Sequence, residues 1–406
     1  MSKVPFDVVS DVLHRLPVKS LVRFRSLSKP FCSLIDSRDF VNIHLRHSLS
    51  AKSHLHLLIK EWMLHSADFD SLHAADDFTH PLSSGGGTEV IGSCNGLLAL
   101  RNSERDLGIY NPSTKKLKRL PVCEIDPPGS RLRTGYVFYG FGYDSVHDDY
   151  KVVRMATFVE GDEALDVFDF DYDVKVYSLK SDSWRRVKDL PFYLRFLKKP
   201  FYHVLHKRGY GVIASNSLHW TFPRRPELGV KDSILAFDLG EEMFREVGRP
   251  DSVKKEPYSQ VDVGALEGNL CLMCNNEGTH IDLWIMKEYG VNESWTKMFS
   301  FVMNRKSTVL AFVRPLSYSK DGGKVLFEVN DGKFVWYDWK HRTSKTVRIK
   351  NVPHSFGSEL YVESLVPVGE GDTEQRNQHE QEETQRNDGN GKKRDDFLSV
   401  GFKLKL

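Results

Sequence analysis

The hydrophobic period changes once along the chain. Val8, Val9, Val12, Leu13 and Leu16 fall on one helical face. Pro5 sits where a first helical turn tolerates proline, and Pro17 ends the run. A second run, 20–27, places Leu21, Phe24 and Leu27 three residues apart. Ser28 is positioned to cap a third helix, with Pro30 in its first turn and Phe31, Leu34 and Ile35 along one side. Three short helices in about forty residues bury too little to stand alone, so this unit is expected to dock on something.

Past residue 50 the pattern becomes that of strands. Runs at 54–59, 62–65, 89–94, 97–100, 136–143, 151–158, 173–179, 211–214, 217–222, 234–239, 261–266, 270–274, 280–286, 325–328 and 333–338 follow one another without a long amphipathic helix. Asn95-Gly96 between two of them is a strong short hairpin signal. That succession excludes βαβ units and calls for a sandwich, barrel or propeller. An imperfect repeat favours the propeller. A strand carrying an aromatic, a polar turn and a second strand recur around Tyr110, Tyr177, Phe237, Trp284 and Tyr337. In three copies the second strand opens with Trp184, Phe244 or Trp295. At about 40–50 residues per blade, residues 51–367 hold about six or seven blades. The tryptophans Trp184, Trp295 and Trp336 are expected to be core.

Composition narrows the class. Lys and Arg outnumber Asp and Glu by only 57 to 55, a net charge of +2, so no global field draws polyanions and nucleic acid is not an expected partner. No stretch is apolar enough to insert in a membrane. Asp7, Asp11 and His14 interrupt any signal-peptide core, and five cysteines read as free thiols in a reducing, cytoplasmic or nuclear setting.

Two segments carry family resemblances. Val4-Pro5-Phe6-Asp7-Val8-Val9, then Leu13 through Arg25, then Leu27-Ser28-Lys29 and Phe31, resembles an F-box, with Val4 where Leu is commoner and Phe31 where Trp is commoner. The resemblance implies a trihelical unit, placed at residues 1–45, that binds a Skp-type adaptor and through it cullin and RING subunits. Pro5, Leu16, Pro17, Leu21 and Val22 are the implied adaptor contacts. Gly92-Ser93-Cys94-Asn95-Gly96-Leu97-Leu98, Tyr110-Asn111-Pro112-Ser113-Thr114 with Leu120-Pro121, Gly140-Phe141-Gly142-Tyr143-Asp144 with 148–153, and 174–179 with Ser183-Trp184 resemble the plant F-box-associated interaction domain. That family's body is kelch-like. The fold expected is therefore mainly β, a propeller-like substrate-recognition domain at 51–367 behind a small F-box. Residues 368–394, polar and aperiodic, read as a disordered linker. Residues 395–406 end in alternating Phe402, Leu404 and Leu406, a docking-strand pattern. This ending is similar to that of a plant F-box protein that limits immune-receptor levels, which implies a nucleotide-binding leucine-rich-repeat immune receptor as substrate.

Catalytic and metal chemistry finds little support in the residues. Cys271 and Cys274 form a CxxC, and His203 with His206 offers two more zinc ligands, but strand residues three apart point to opposite faces. Gly92-Ser93-Cys94-Asn95-Gly96 matches a nucleophile elbow, yet a strand follows it instead of a helix. No cofactor is implied. Between 160 and 173 the chain is acidic. Between 195 and 208 it is basic and aromatic, and Arg195, Lys198, Lys199, Tyr202, Lys207 and Arg208 are the candidate substrate contacts, because Arg and aromatic residues dominate interface hot spots. The function expected is a non-catalytic substrate-recognition subunit of a Skp–cullin–F-box ubiquitin ligase that delivers a protein for proteasomal degradation. The alternatives are a propeller hydrolase or oxidase, and a non-degradative F-box scaffold.

Overall fold

The structure, a computed structural model, describes residues 6–82, 87–127, 132–160, 169–187, 210–221, 234–255, 260–276, 279–302, 312–330 and 332–369. The expected docking strand at 395–406, nearly all of the expected linker at 368–394, and the 195–208 segment lie outside the described residues.

Helices open the chain: α1 (Phe6–Leu13), α2 (Val18–Arg25), α3 (Lys29–Ile35) and α4 (Arg38–Ala51). The first three are those the spacing predicts. Ser28 caps α3, its Oγ accepting from the Phe31 N–H at 3.5 Å. The fourth, α4, is an addition to the expected three. Ser37 caps it, accepting from the Phe40 N–H at 3.3 Å, and Phe40, Val41, His44, Leu45 and Ser48 form its buried stripe. Two polar residues in that stripe hide its periodicity. Leu13, Leu21, Ile35 and Phe40 make a small core within this helical unit.

The strands follow in order. First come β1 (Leu55–Lys60), β2 (Leu64–Asp68) and β3 (Asp76–Asp77). Four-stranded meanders then succeed one another. Blade I is β4 (Glu89–Cys94), β5 (Leu97–Ser103), β6 (Asp106–Asn111) and β7 (Lys116–Arg119). Blade II is β8 (Arg133–Asp144), β9 (Asp149–Glu160), β10 (Asp169–Ser178) and β11 (Ser183–Arg186). Blade III is β12 (Tyr210–Ala214), β13 (Ser217–Thr221), β14 (Ile234–Asp238) and β15 (Met243–Val247). After α5 (Asp251–Lys255), blade IV is β16 (Gln260–Leu266), β17 (Asn269–Asn276), β18 (His280–Met286) and β19 (Trp295–Phe301). Blade V is β20 (Val313–Tyr318), β21 (Lys324–Val329), β22 (Lys333–Asp338) and β23 (Thr343–Val347). The last strand, β24 (Gly357–Val362), completes blade VI by pairing with β1, from Leu55 opposite Val362 to Lys60 opposite Gly357. The ring is thus a propeller of six blades among the described residues, the lower of the two numbers expected, closed by strands from both ends of the body.

Hydrophobic burial follows from this ring. Each gap between neighbouring blades holds one apolar cluster. Between II and III, for example, Val153, Val174 and Val176 face Leu218, Leu235 and Phe237. Blades II and III also join edge to edge. Tyr210 and Gly211 pair parallel with Tyr139 and Gly140. Glycine is what permits this approach: a Cβ on Gly140 would lie 2.5 Å from Leu218 Cδ1, and one on Gly211 2.5 Å from the Trp220 ring.

The repeat read from the sequence is the hairpin of third and fourth strands. Tyr110, Tyr177, Phe237, Trp284 and Tyr337 all lie on third strands. Asn111, Asp238 and Asp338 then accept two backbone N–H bonds from the turn that follows, as at Asp338 from Lys340 and His341 at 3.1 and 2.9 Å. Lys115, Asp182, Glu242 and Arg342, five residues beyond the aromatic in each case, take the left-handed conformation that returns the chain into the fourth strand.

Two expectations are corrected. Trp62 and Met63 are not part of a strand. They sit at the β1–β2 turn, 71% and 59% exposed. Of the three tryptophans expected in the core, Trp295 is buried, whereas Trp184, on the outermost strand of blade II, and Trp336, on the third strand of blade V, are half-buried.

Candidate functional site

Strand direction gives the propeller two unlike ends. The innermost strands β4, β8, β12, β16, β20 and β24 run the same way around the ring. At one end lie the turns between first and second strands and between third and fourth, short reversals such as 95–96, 215–216 and 239–242. At the other end lie the last residues of β7, β11 and β19 and the first residues of β8, β12 and β20, the strands that flank the longer connections. The basic-aromatic segment with Arg195, Lys198, Lys199, Tyr202, Lys207 and Arg208 belongs to the connection from β11 to β12, so the strands that anchor it, ending at Arg186 and starting at Tyr210, open toward this second end.

The helical unit sits on the short-turn end. Arg38, at the start of α4, pairs with Asp148 in the β8–β9 turn, and Lys52, just past its end, pairs with Glu267 in the β16–β17 turn. Lys52 also lies 5.3 Å from the centre of the Tyr318 ring at the end of β20. Between these ends, Val41 and Leu45 join the apolar cluster of Leu97, Val362, Val366 and Val368. The Val18 N–H donates to Glu363 Oε2 at 3.1 Å. The unit expected to need a platform is therefore docked on one.

The predicted contact residues of this unit separate by burial. Leu16 and Pro17 are half-buried at the corner between α1 and α2, and Val22 is 41% exposed. Leu21 is fully buried among Leu13, Ile35 and Phe40, so its role is in the unit's own core and it offers no surface anchor, a correction to its assignment. Pro5 lies outside the described residues. Val8, Val12 and Leu27 are also exposed apolar side chains of this unit, absent from the predicted contacts. The sequence pattern did not separate them, since it placed Val8 and Val12 on one face with Leu13, and Leu27 lies in the turn after α2.

A central cavity of about 180 Å³ is lined by Ile91, Phe141, Tyr210, Arg314 and Glu359 of the inner strands. Several of its charges are paired. Arg314 pairs with Glu328 at 3.2 Å and Glu359 at 3.5 Å, and Lys60 with Glu359 at 3.5 Å. Nearby, Glu89 takes bonds from Arg101 and from the Tyr210 hydroxyl. These groups stitch blades together. His219, also on the lining, packs edge-on against Tyr289 and accepts its hydroxyl at 2.8 Å, while Nδ1–H donates to the Val212 carbonyl at 3.2 Å. Burial pushes its pKa down to about 4, so the imidazole is neutral.

The cysteines do not make a reactive or chelating set. Cys271 packs between blades IV and V and Cys274 between III and IV, on opposite faces of β17 as the strand period requires. Burial pushes both thiols up to about 12. Cys94 ends β4, and Asn95 and Gly96, both at positive φ, turn the chain directly into β5, so the elbow-like motif is a hairpin.

Comparison with known proteins agrees with this division of the molecule. Residues 1–42 match the F-box domain, and residues 49–366 match the F-box associated beta propeller domain. The chain is 46% identical over its whole length to F-box protein CPR1 of Arabidopsis thaliana, which it also covers completely. It is 40% identical to F-box protein At4g22390 of the same plant, again over all of both chains. F-box/kelch-repeat protein At3g23880, also from Arabidopsis, is 27% identical across 81% of this chain and 86% of its own. With a helical docking unit on one end of a six-bladed ring and a family model matched over each part, the chain belongs to the F-box proteins that carry an F-box-associated β-propeller domain.

Proposed function

We propose that the protein is a substrate-recognition subunit of a Skp–cullin–F-box ubiquitin ligase, and that it catalyses no step itself. One observation carries this function: the F-box occupies the short-turn end of the propeller, and the strands that flank the longer connections end at the opposite rim. An adaptor bound to Val12, Leu16, Pro17, Val22 and Leu27 meets apolar side chains that the small helical core leaves uncovered, the usual chemistry of helix-in-groove recognition. A protein substrate bound to the opposite rim would be held apart from the ligase core yet on one rigid body. The contribution to catalysis is proximity, a raised local concentration of substrate lysines near the charged conjugating enzyme. Arg195, Lys198, Lys199, Tyr202, Lys207 and Arg208 are the proposed substrate contacts on chemical grounds, and a plant immune receptor is the proposed substrate class on the strength of the C-terminal resemblance. The proposed compartments are cytoplasm and nucleus.

The test uses the full chain. Val12→Asp with Val22→Asp places two charges on exposed positions, so the fold should be retained. Capture of a Skp-type adaptor should fall tens-fold or more, as loss of hot-spot contacts worth roughly 2–4 kcal/mol implies. In cells the variant should lengthen the half-life of co-purifying partners that accumulate on proteasome inhibition. Undiminished adaptor capture by a folded double variant would remove this function.

A further inference from the structure

The Leu16-Pro17-Val18 corner, which the adaptor would contact, is held from both sides by groups outside its own three-helix core. Pro17 is the N-cap of α2 and supplies no side-chain bond to the helix start. The missing cap comes from the propeller. Glu363, immediately after β24, accepts the Val18 N–H at 3.1 Å with Oε2 and bonds His56 Nε2 at 3.3 Å with Oε1. Its own N–H donates to the His54 carbonyl at 2.9 Å, which pins its backbone to the linker after α4. Burial raises the carboxyl pKa, but the His56 hydrogen bond and charge and the Val18 N–H outweigh that and hold it below the usual carboxylate range. On the other side, His44 of α4 donates from Nε2 to the Leu16 carbonyl at 2.9 Å. Burial lowers the His44 pKa, against the opposing pull of this bond to the Leu16 carbonyl.

We propose that Glu363 is a positioning residue: a carboxylate of the propeller's last strand end that caps F-box helix α2 and so sets the angle at which the adaptor-binding corner is presented. The two ion pairs that also tether the F-box, Arg38–Asp148 and Lys52–Glu267, involve half-exposed or exposed partners and are screened by water and salt. Glu363 is more enclosed and bonds directly to backbone, so it controls direction where the others add only attachment. The consequence for ubiquitin transfer rests on the ligase function proposed above; the cap itself does not.

The experiment compares Glu363→Ala and Glu363→Gln in the full chain. Two readouts are taken: hydrogen exchange of the Val18 amide in the chain alone, and ubiquitin transfer to the chain's own lysines with adaptor, cullin, RING subunit and charged conjugating enzyme. The Ala variant should exchange Val18 at least tenfold faster and bind adaptor within twofold of wild type. Its transfer should be redistributed among exposed lysines such as Lys180, Lys320 and Lys340. The Gln variant keeps an acceptor oxygen and should restore most of the protection and the lysine pattern. Unchanged Val18 exchange in the Ala variant overturns the cap. Faster exchange with an unchanged lysine pattern overturns its positioning role. If the wild-type chain captures no adaptor, the ligase function falls, and Val18 exchange in the chain alone still decides the cap.

Discussion

Single residues show where letters of one chemical type part company. Leu21 and Val22 are adjacent and both apolar, yet one is sealed inside the F-box and the other faces out. Helical period orders them relative to each other, but which face is covered depends on α4, whose stripe is interrupted by His44 and Ser48. That is why the exposed apolar set of the F-box was only partly legible. His219 makes a sharper point. In the unfolded chain its pKa is near 6.5, and in the fold it is about 4. The folded state therefore resists the proton that the unfolded state accepts. Its contribution is complete above pH 6.5 and is lost as pH falls toward 4. The loss amounts to about 3 kcal/mol over that window. Urea midpoints taken from pH 7.5 to 4.5 should fall accordingly, and His219→Gln should flatten that slope. An identical slope in the variant would show that other groups govern acid unfolding.

Among elements, the third-to-fourth-strand hairpin is the unit that the sequence spells out. An aromatic, an Asx residue one place later and a left-handed residue five places later are local requirements, so they survive as letters. Tryptophan adds a link between copies. Trp184 of blade II donates from Nε1 to the Pro121 carbonyl just past blade I, and Trp295 of blade IV donates to the Gly248 carbonyl just past blade III, both at 2.9 Å. Burial separates their energetic weight. Trp295→Ala, at a site 7% exposed, should cost about 3–5 kcal/mol. Trp184→Ala, whose partly exposed ring packs against Tyr177 and Arg154, should cost roughly 2 kcal/mol. Chemical denaturation of both variants checks the order; equal losses would mean that the outer-strand position, and not burial, sets the cost.

For the whole molecule, closure depends on a pairing that no local pattern announces. Blade VI joins β24 to β1 across nearly the full length of the body, and its third strand carries no aromatic marker, so the blade number could be read from the sequence only as a range. The long connections were equally opaque, since partner specificity there depends on surface shape and not on periodicity. A chain ended at Asn351 lacks β24 and should lose the cooperative melt of the ring, while one ended at Gly369 should melt within a few degrees of full length. Circular dichroism on both decides it, and a cooperative melt for the shorter chain would show that five blades suffice.

The closing strand also orders events in time. The F-box leaves the ribosome first, but Val362 and Glu363, against which it rests, are made after every other blade. A nascent or prematurely terminated chain carries all four helices and no acceptor for the Val18 amide. Such fragments would expose an adaptor-binding corner without its support, and would compete for adaptor without directing it. Synthesis of the last strand therefore completes two things at once, because the same few residues that seal the ring also seat the F-box.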